Sequence, residues 1–164
     1  MGSEMCIRDR WDIDVLPLTY SDSRWNAFVI DVPAETRQRL CPNPPLTVWD
    51  GEDAELVEYW YVNHVNTMLG PYLEFGVTIS ATHTDSKGNT WKAGYYPYMY
   101  LTGDAPVDAG RVLGFPKKMS YIRITEHGGE KGNDYFGFSM SRNGYLLTAQ
   151  QRKNDDDYVN APYF

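Results

Sequence analysis

Two lysines, Lys117 and Lys118, stand side by side in the stretch GRVLGFPKKMSYI, residues 110 to 122. A lysine at its ordinary pKa of about 10.4 is an ammonium at neutral pH and has no lone pair with which to attack. A second cation close by and burial among apolar groups each disfavour that charged form. At about 6 Å and an effective dielectric near 20, two unit charges repel by roughly 2 to 3 kcal/mol. Phe115, Met119 and the tyrosine-rich runs upstream supply apolar surroundings. The pair therefore predicts a neutral, nucleophilic amine near physiological pH.

Other chemistries find less support. With 22 acidic against 15 basic residues the formal net charge is −7, so a nucleic-acid or anionic-membrane surface is not expected. His64, His83 and His127 are scattered without Cys or paired carboxylates at metal-ligand spacing, and no metal site is predicted. The HGGEKGND segment joins strands instead of opening a helix and lacks a Lys-Ser ending, so it is not a phosphate loop. RKNDDDY lacks the spaced ligands and glycine of a calcium loop and reads as a solvated turn. Only Cys6 and Cys41 are present, which fits a reducing compartment and a small core thiol at 41. No apolar run reaches the roughly 20 residues that cross a bilayer. A cytoplasmic protein with no membrane or nucleic-acid partner is expected.

The elements that must position the lysines alternate in period two. AFVIDV, ELVEYWYVNHV, PYLEFGVTISATHT and WKAGYYPYMYLT read as strands, with PAETRQRLCP as a short helix and NPPLTV as a turn into extended chain. DSKGNT is a hairpin loop, and Pro97 marks a bulge or an edge. GDAPVDAGRVL reads as a second short helix, capped by Asp104 and ended by Gly114, with the lysines just past it. MSYIRITE, YFGFSMS and YLLTAQQR complete a meander whose Asn143-Gly144 pair predicts a primed hairpin turn. Seven strands, two helices and no βαβ rhythm predict a mainly β, β-rich α+β fold: an antiparallel barrel, closed or partly open. The first ten residues, MGSEMCIRDR, show no periodicity and are expected to be a non-native leader, leaving 11–164 as a single domain. YVNAPYF stops within a strand-like pattern, so further C-terminal strands are expected, and without them exposed sheet edges would favour association.

GRVLGFPKKMSYI resembles the lysine-pair motif of the acetoacetate decarboxylase family. The likeness extends through RWNAFVIDVPAETRQRLCPNPPLTV and GPYLEFGVTISA, from about Ser23 to Phe164. It implies a mainly antiparallel β-barrel whose members continue for further strands, assemble as homo-oligomers and need no external cofactor. Acetoacetate decarboxylase is itself the standard example of a lysine activated by an adjacent cation. By this resemblance Lys117 is the Schiff-base lysine, Lys118 the cation that perturbs it, and Glu74 the active-site glutamate. A second carboxylate falls on Tyr59 without a gap and on Glu58 after a one-residue slip, which in a strand changes the face. Arg24 matches the family's arginine after a similar shift and would hold the substrate carboxylate; Tyr98 and Tyr100 would line the pocket. The implied activity is decarboxylation of acetoacetate or a similar small β-keto acid. The alternatives are aldolase-dehydratase action on a pyruvate-like keto acid plus an aldehyde, or a barrel that only binds a small molecule.

Overall fold

The computed structural model describes residues 18–41, 46–49, 51, 56–127 and 135–152. Their contacts divide the chain into two compact units, Met1–Met119 and Ser120–Phe164. The MGSEMCIRDR stretch expected to be a leader, Pro42, the first three residues of NPPLTV, the HGGEKGND loop after His127, and the RKNDDDY and YVNAPYF segments after Arg152 lie outside the described residues. Among the described residues no helix is long and apolar enough to cross a membrane.

The first unit runs β1 (Tyr20–Asp31), α1 (Ala34–Leu40), β2 (Leu46–Val48), β3 (Leu56–Thr67), β4 (Tyr72–Thr84), β5 (Thr90–Leu101), α2 (Asp104–Val112) and β6 (Lys117–Met119). Its sheet has the order β1-β3-β4-β5-β6, and β2 pairs with β4 at Ala81–His83, beyond the last β3 partner at Ile79. The second unit is the meander β7 (Tyr121–His127), β8 (Tyr135–Arg142) and β9 (Tyr145–Arg152).

Turn chemistry places the hairpins where the sequence predicts them. At the β4–β5 loop the Asp85 carboxylate accepts from the amides of Lys87 and Asn89, both at 2.8 Å, and Gly88 takes a φ of 85°. Asn143 and Gly144 join β8 to β9 with φ of 51° and 82°, the positive pair that a primed turn requires. Pro97 sits at a bulge: Tyr98 faces Val77 and Tyr95 faces Ile79, leaving Tyr96 and Pro97 opposite Thr78 alone. Proline has no amide to lose from the ladder there.

The sheets are open, and one pairing is parallel. β6 lies beside β5 in parallel register, Met99 with Lys117 and Leu101 with Met119, so β5-α2-β6 is a crossover unit within an otherwise antiparallel sheet. The sequence predicts no such unit because β6 is only the three residues Lys-Lys-Met, too short to show a period. In α2 the cap position is Gly103 and Asp104 is the first helical residue; Gly114, with φ of 89°, closes the turn after it.

Alternation along the strands sorts side chains onto two faces. Cross-strand register aligns Ser23, His64 and Tyr72 in one row, and Trp25, Val62, Glu74, Leu101 and Met119 in the next. A third row on that face holds Ala27, Trp60, Gly76, Met99 and Lys117, followed by Val29, Glu58 and Thr78. Helix α2 packs here, its Val107 joining Tyr72 and Leu101 in a buried cluster, while Trp60, Val62 and Met99 form a second with Tyr96 against it. Burying each large apolar side chain of this kind contributes about 1.5 to 3 kcal/mol.

Gly76 makes the third row possible. The Trp60 indole lies across it where a Cβ would overlap the ring, and its Nε1 donates to Thr78 Oγ1 at 2.9 Å. Replacing Gly76 by Ala is expected to cost about 1 to 3 kcal/mol through overpacking. Urea unfolding followed by tryptophan fluorescence measures it; an unchanged midpoint would show that the indole slides aside freely.

Candidate active site

Lys117 is held along its whole length. Its backbone amide donates to Phe115 O at 2.8 Å and its carbonyl accepts from Arg111 Nε at 3.0 Å. The methylene stem then crosses α2 at Gly110, where a Cβ would overlap the Lys117 Cδ. The ammonium ends 3.1 Å from Glu74 Oε1 and 3.4 Å from Oε2, with the Phe115 ring centroid 5.8 Å away. Only 9% of the lysine side chain and 5% of the glutamate side chain remain exposed, so the contact is made almost without water.

Glu74 has a second partner. His64 Nε2 lies 3.4 Å from Glu74 Oε2 with its side chain 6% exposed, and its Nδ1 is 2.8 Å from Ser23 Oγ. The imidazole packs on Tyr72 and Tyr20, with centroids 4.4 and 5.1 Å away, and the Tyr72 hydroxyl donates to the Tyr20 hydroxyl at 3.3 Å. Burial first, and then the Glu74 charge, hold the Tyr72 phenol far above the ordinary tyrosine range, so it stays a neutral donor. Burial, followed by the charges of Glu58 and Glu74, raises Tyr96 as well. Glu58 is itself pushed above the ordinary carboxylate range by burial, against the opposing effect of a hydrogen bond with Thr78.

The predicted site residues divide between the two faces. Lys117 and Glu74 meet, and Glu58 shares their face, whereas Tyr59 turns away and stacks on Phe28. Lys118, Arg24, Tyr98 and Tyr100 are not brought to the Lys117 site: register puts them in rows with Leu73, Phe75 and Val77 on the opposite face. The physical reason is strand alternation, which sends consecutive residues to opposite sides once Lys117 and Lys118 are both in β6. Lys118 is exposed, and Arg24 Nε lies 3.9 Å from Asp22 Oδ1 with both side chains about half exposed. Tyr98 and Tyr100 stack on each other at 6.4 Å.

His64, Ser23, Tyr72 and Gly110 are site residues that sequence reasoning missed. The signal for His64 and Tyr72 was the tight turn at Thr67–Gly70, which fixes the β3–β4 register and so sets His64 beside Tyr72, one row from Glu74. His83, the other histidine of these strands, stacks on Trp91 at 5.9 Å. Cys41 is buried and free. Among the described residues no group of three or more His, Cys, Asp and Glu is arranged to hold a metal ion.

A buried lysine on a carboxylate, set on a β-sheet, defines a site suited to covalent amine chemistry. The sequence model described as acetoacetate decarboxylase (ADC) matches residues 8–153, and the chain belongs to that family. It is 34% identical over 147 residues to acetoacetate decarboxylase 3 of Mesorhizobium japonicum, covering 87% of this chain and 53% of that protein. An acetoacetate decarboxylase-like enzyme from Sphingomonas wittichii RW1 shares the fold with a TM-score of 0.62 at 18% identity, covering 78% of this chain and 54% of that one. The enduracididine biosynthesis enzyme MppR, solved with the condensation product of pyruvate and imidazole 4-carboxaldehyde, matches with a TM-score of 0.60 at 17% identity, over 79% of this chain and 53% of its own. The chain thus spans about half the length of the relatives it matches.

Glu58 gives a prediction whose sign follows from its raised pKa. The folded state binds the Glu58 proton more tightly than the unfolded state, so this group makes stability fall as pH rises from the ordinary carboxylate range through its folded value. Glu58→Gln, which resembles the protonated acid, is expected to be more stable than the parent at pH 7. That advantage should vanish when the pH drops below the ordinary carboxylate range. Thermal melts at both ends of the range measure it, and an equal difference at every pH would contradict it.

Proposed function

We propose that the protein is a Schiff-base lyase that decarboxylates a small β-keto acid on Lys117. The observation that carries this reading is the buried Lys117 amine 3.1 Å from the Glu74 carboxylate, in a chain of the acetoacetate decarboxylase family. Glu74 is within reach to take a proton from the Lys117 ammonium, freeing the lone pair. The amine nitrogen then bonds to the ketone carbon, and loss of the carbonyl oxygen as water leaves an iminium. The bond to the substrate carboxylate breaks with its electron pair moving toward the iminium nitrogen, so carbon dioxide leaves and an enamine remains. Protonation at carbon restores the iminium, and water hydrolyses it to the ketone and Lys117. The carboxylate beside the nitrogen stabilises the cation in both iminium states, where a dry setting strengthens the interaction.

A pyruvate-like substrate would use the same iminium differently, losing a proton to form an enamine that adds to an aldehyde and then dehydrates. The 34% identity to a protein named as an acetoacetate decarboxylase favours the first route. Acetoacetate alone, against pyruvate plus an aldehyde, distinguishes the two by release of carbon dioxide or by an absorbing unsaturated product.

Borohydride reduction tests the shared intermediate. With acetoacetate present, mass analysis is expected to find a reduced adduct at Lys117, absent from Lys117→Ala, whose turnover should fall to background. Lys118→Ala, altered on the other face, should retain activity within about three-fold, as expected for a site separated from the reacting group. An unmodified Lys117 in the parent protein would leave a small-molecule-binding role in place of the lyase.

A further inference from the structure

One oxygen of the site has two nitrogen neighbours. Glu74 Oε2 is 3.4 Å from Lys117 Nζ and 3.4 Å from His64 Nε2. We propose that His64 is a positioning residue that acts through Glu74, taking up the proton that Lys117 releases and returning it, with Ser23 fixing the tautomer that allows this. The proposal rests on the Lys117 reading above for its purpose, while its geometry is independent of any substrate.

The physical reason is charge balance in a dry place. A buried carboxylate left without a cation is strongly unfavourable, and so is a second unmatched cation. Glu74 is therefore best served by one positive charge at a time, on Lys117 or on His64. When Lys117 is an ammonium or an iminium, His64 is neutral. When Lys117 is a free amine or part of an enamine, the imidazole carries the charge. The proton leaves Nζ, passes along Oε2 and bonds to the Nε2 lone pair; the return step reverses each bond, so no charge is created or lost in the cluster.

Ser23 makes His64 ready for this. His64 Nδ1 lies 2.8 Å from Ser23 Oγ. In the proposed tautomer Nδ1–H donates to that hydroxyl, the neutral ring keeps Nε2 unprotonated toward Glu74, and the imidazolium keeps the same Nδ1 bond. The other tautomer would have a hydrogen on Nε2 and no room for a second. The titratable groups facing the ring among the described residues are Tyr20 from β1, Tyr72 and Glu74 from β4, and Lys117 from β6 through Glu74. Tyr72 remains a neutral phenol, so Glu74 is the charge that the imidazole meets.

The test reads the free amine directly. The protein is acetylated with trace acetic anhydride from pH 5 to 10, and modification of Lys117 and Lys118 is measured by peptide mass spectrometry. His64→Gln is expected to move the midpoint of the Lys117 profile upward by about one pH unit, since the carboxylate then has no imidazole to pass the proton to. Ser23→Ala should move it the same way by less, and the Lys118 profile should stay in place in both. A Lys117 midpoint that coincides with the parent's in folded His64→Gln overturns the proposal. If that variant does not fold, coincidence in Ser23→Ala overturns it. Because acetylation needs no keto acid, failure of borohydride trapping would remove the lyase reading while these profiles still decide the role of His64.

Discussion

Removing an ammonium and a carboxylate from water is unfavourable by several kcal/mol for each, and the Lys117–Glu74 contact is the condition under which this chain does both. Either charge alone in that position would unfold its surroundings or draw in water. Together they join β6 to β4 across the intervening β5, linking residues 43 apart in sequence. The remaining architecture makes the contact geometrically possible. Gly110 leaves a channel for the lysine stem, the Arg111 side chain and the Phe115 carbonyl fix the backbone at its root, and α2 covers the face on which both groups lie.

Much of the fold was legible because its signals are local. Period-two runs gave β3, β4 and β5, while Asp85 to Asn89 gave the β4–β5 turn by side-chain capping and Asn143-Gly144 the β8–β9 turn by positive φ. Lys117 and Glu74 were legible as well, through the motif around each. What failed was the assignment of faces. β6 is three residues long, so nothing in Lys-Lys-Met announces a strand, and without that fact Lys118 could be placed beside Lys117. The same one-residue sensitivity governs Glu58 against Tyr59 and moves Arg24 to the far side of the sheet. His64 was invisible for another reason: its place beside Glu74 comes from a register set by the Thr67–Gly70 turn, which its own strand neighbours do not announce.

The position of Lys118 changes how the activation of Lys117 is to be understood. Repulsion between neighbouring ammonium groups is effective when both extend into one space. A strand sends them apart, and here the group in contact with the Lys117 nitrogen is a carboxylate. A carboxylate in contact compensates the ammonium for the water it has lost and is within reach of its proton. For the proposed cycle, a site organised in this way would gain less from weakening the base than from matching charge at each stage. On the proposed route, ammonium and iminium carry the same charge at nearly the same point, so one fixed carboxylate would serve the resting ammonium and the electron-withdrawing intermediate. The neutral stages are the demanding ones, since they leave Glu74 without its partner. The imidazole 3.4 Å from Glu74, with its far nitrogen 2.8 Å from Ser23 Oγ, is the group to which the proposal above gives that role.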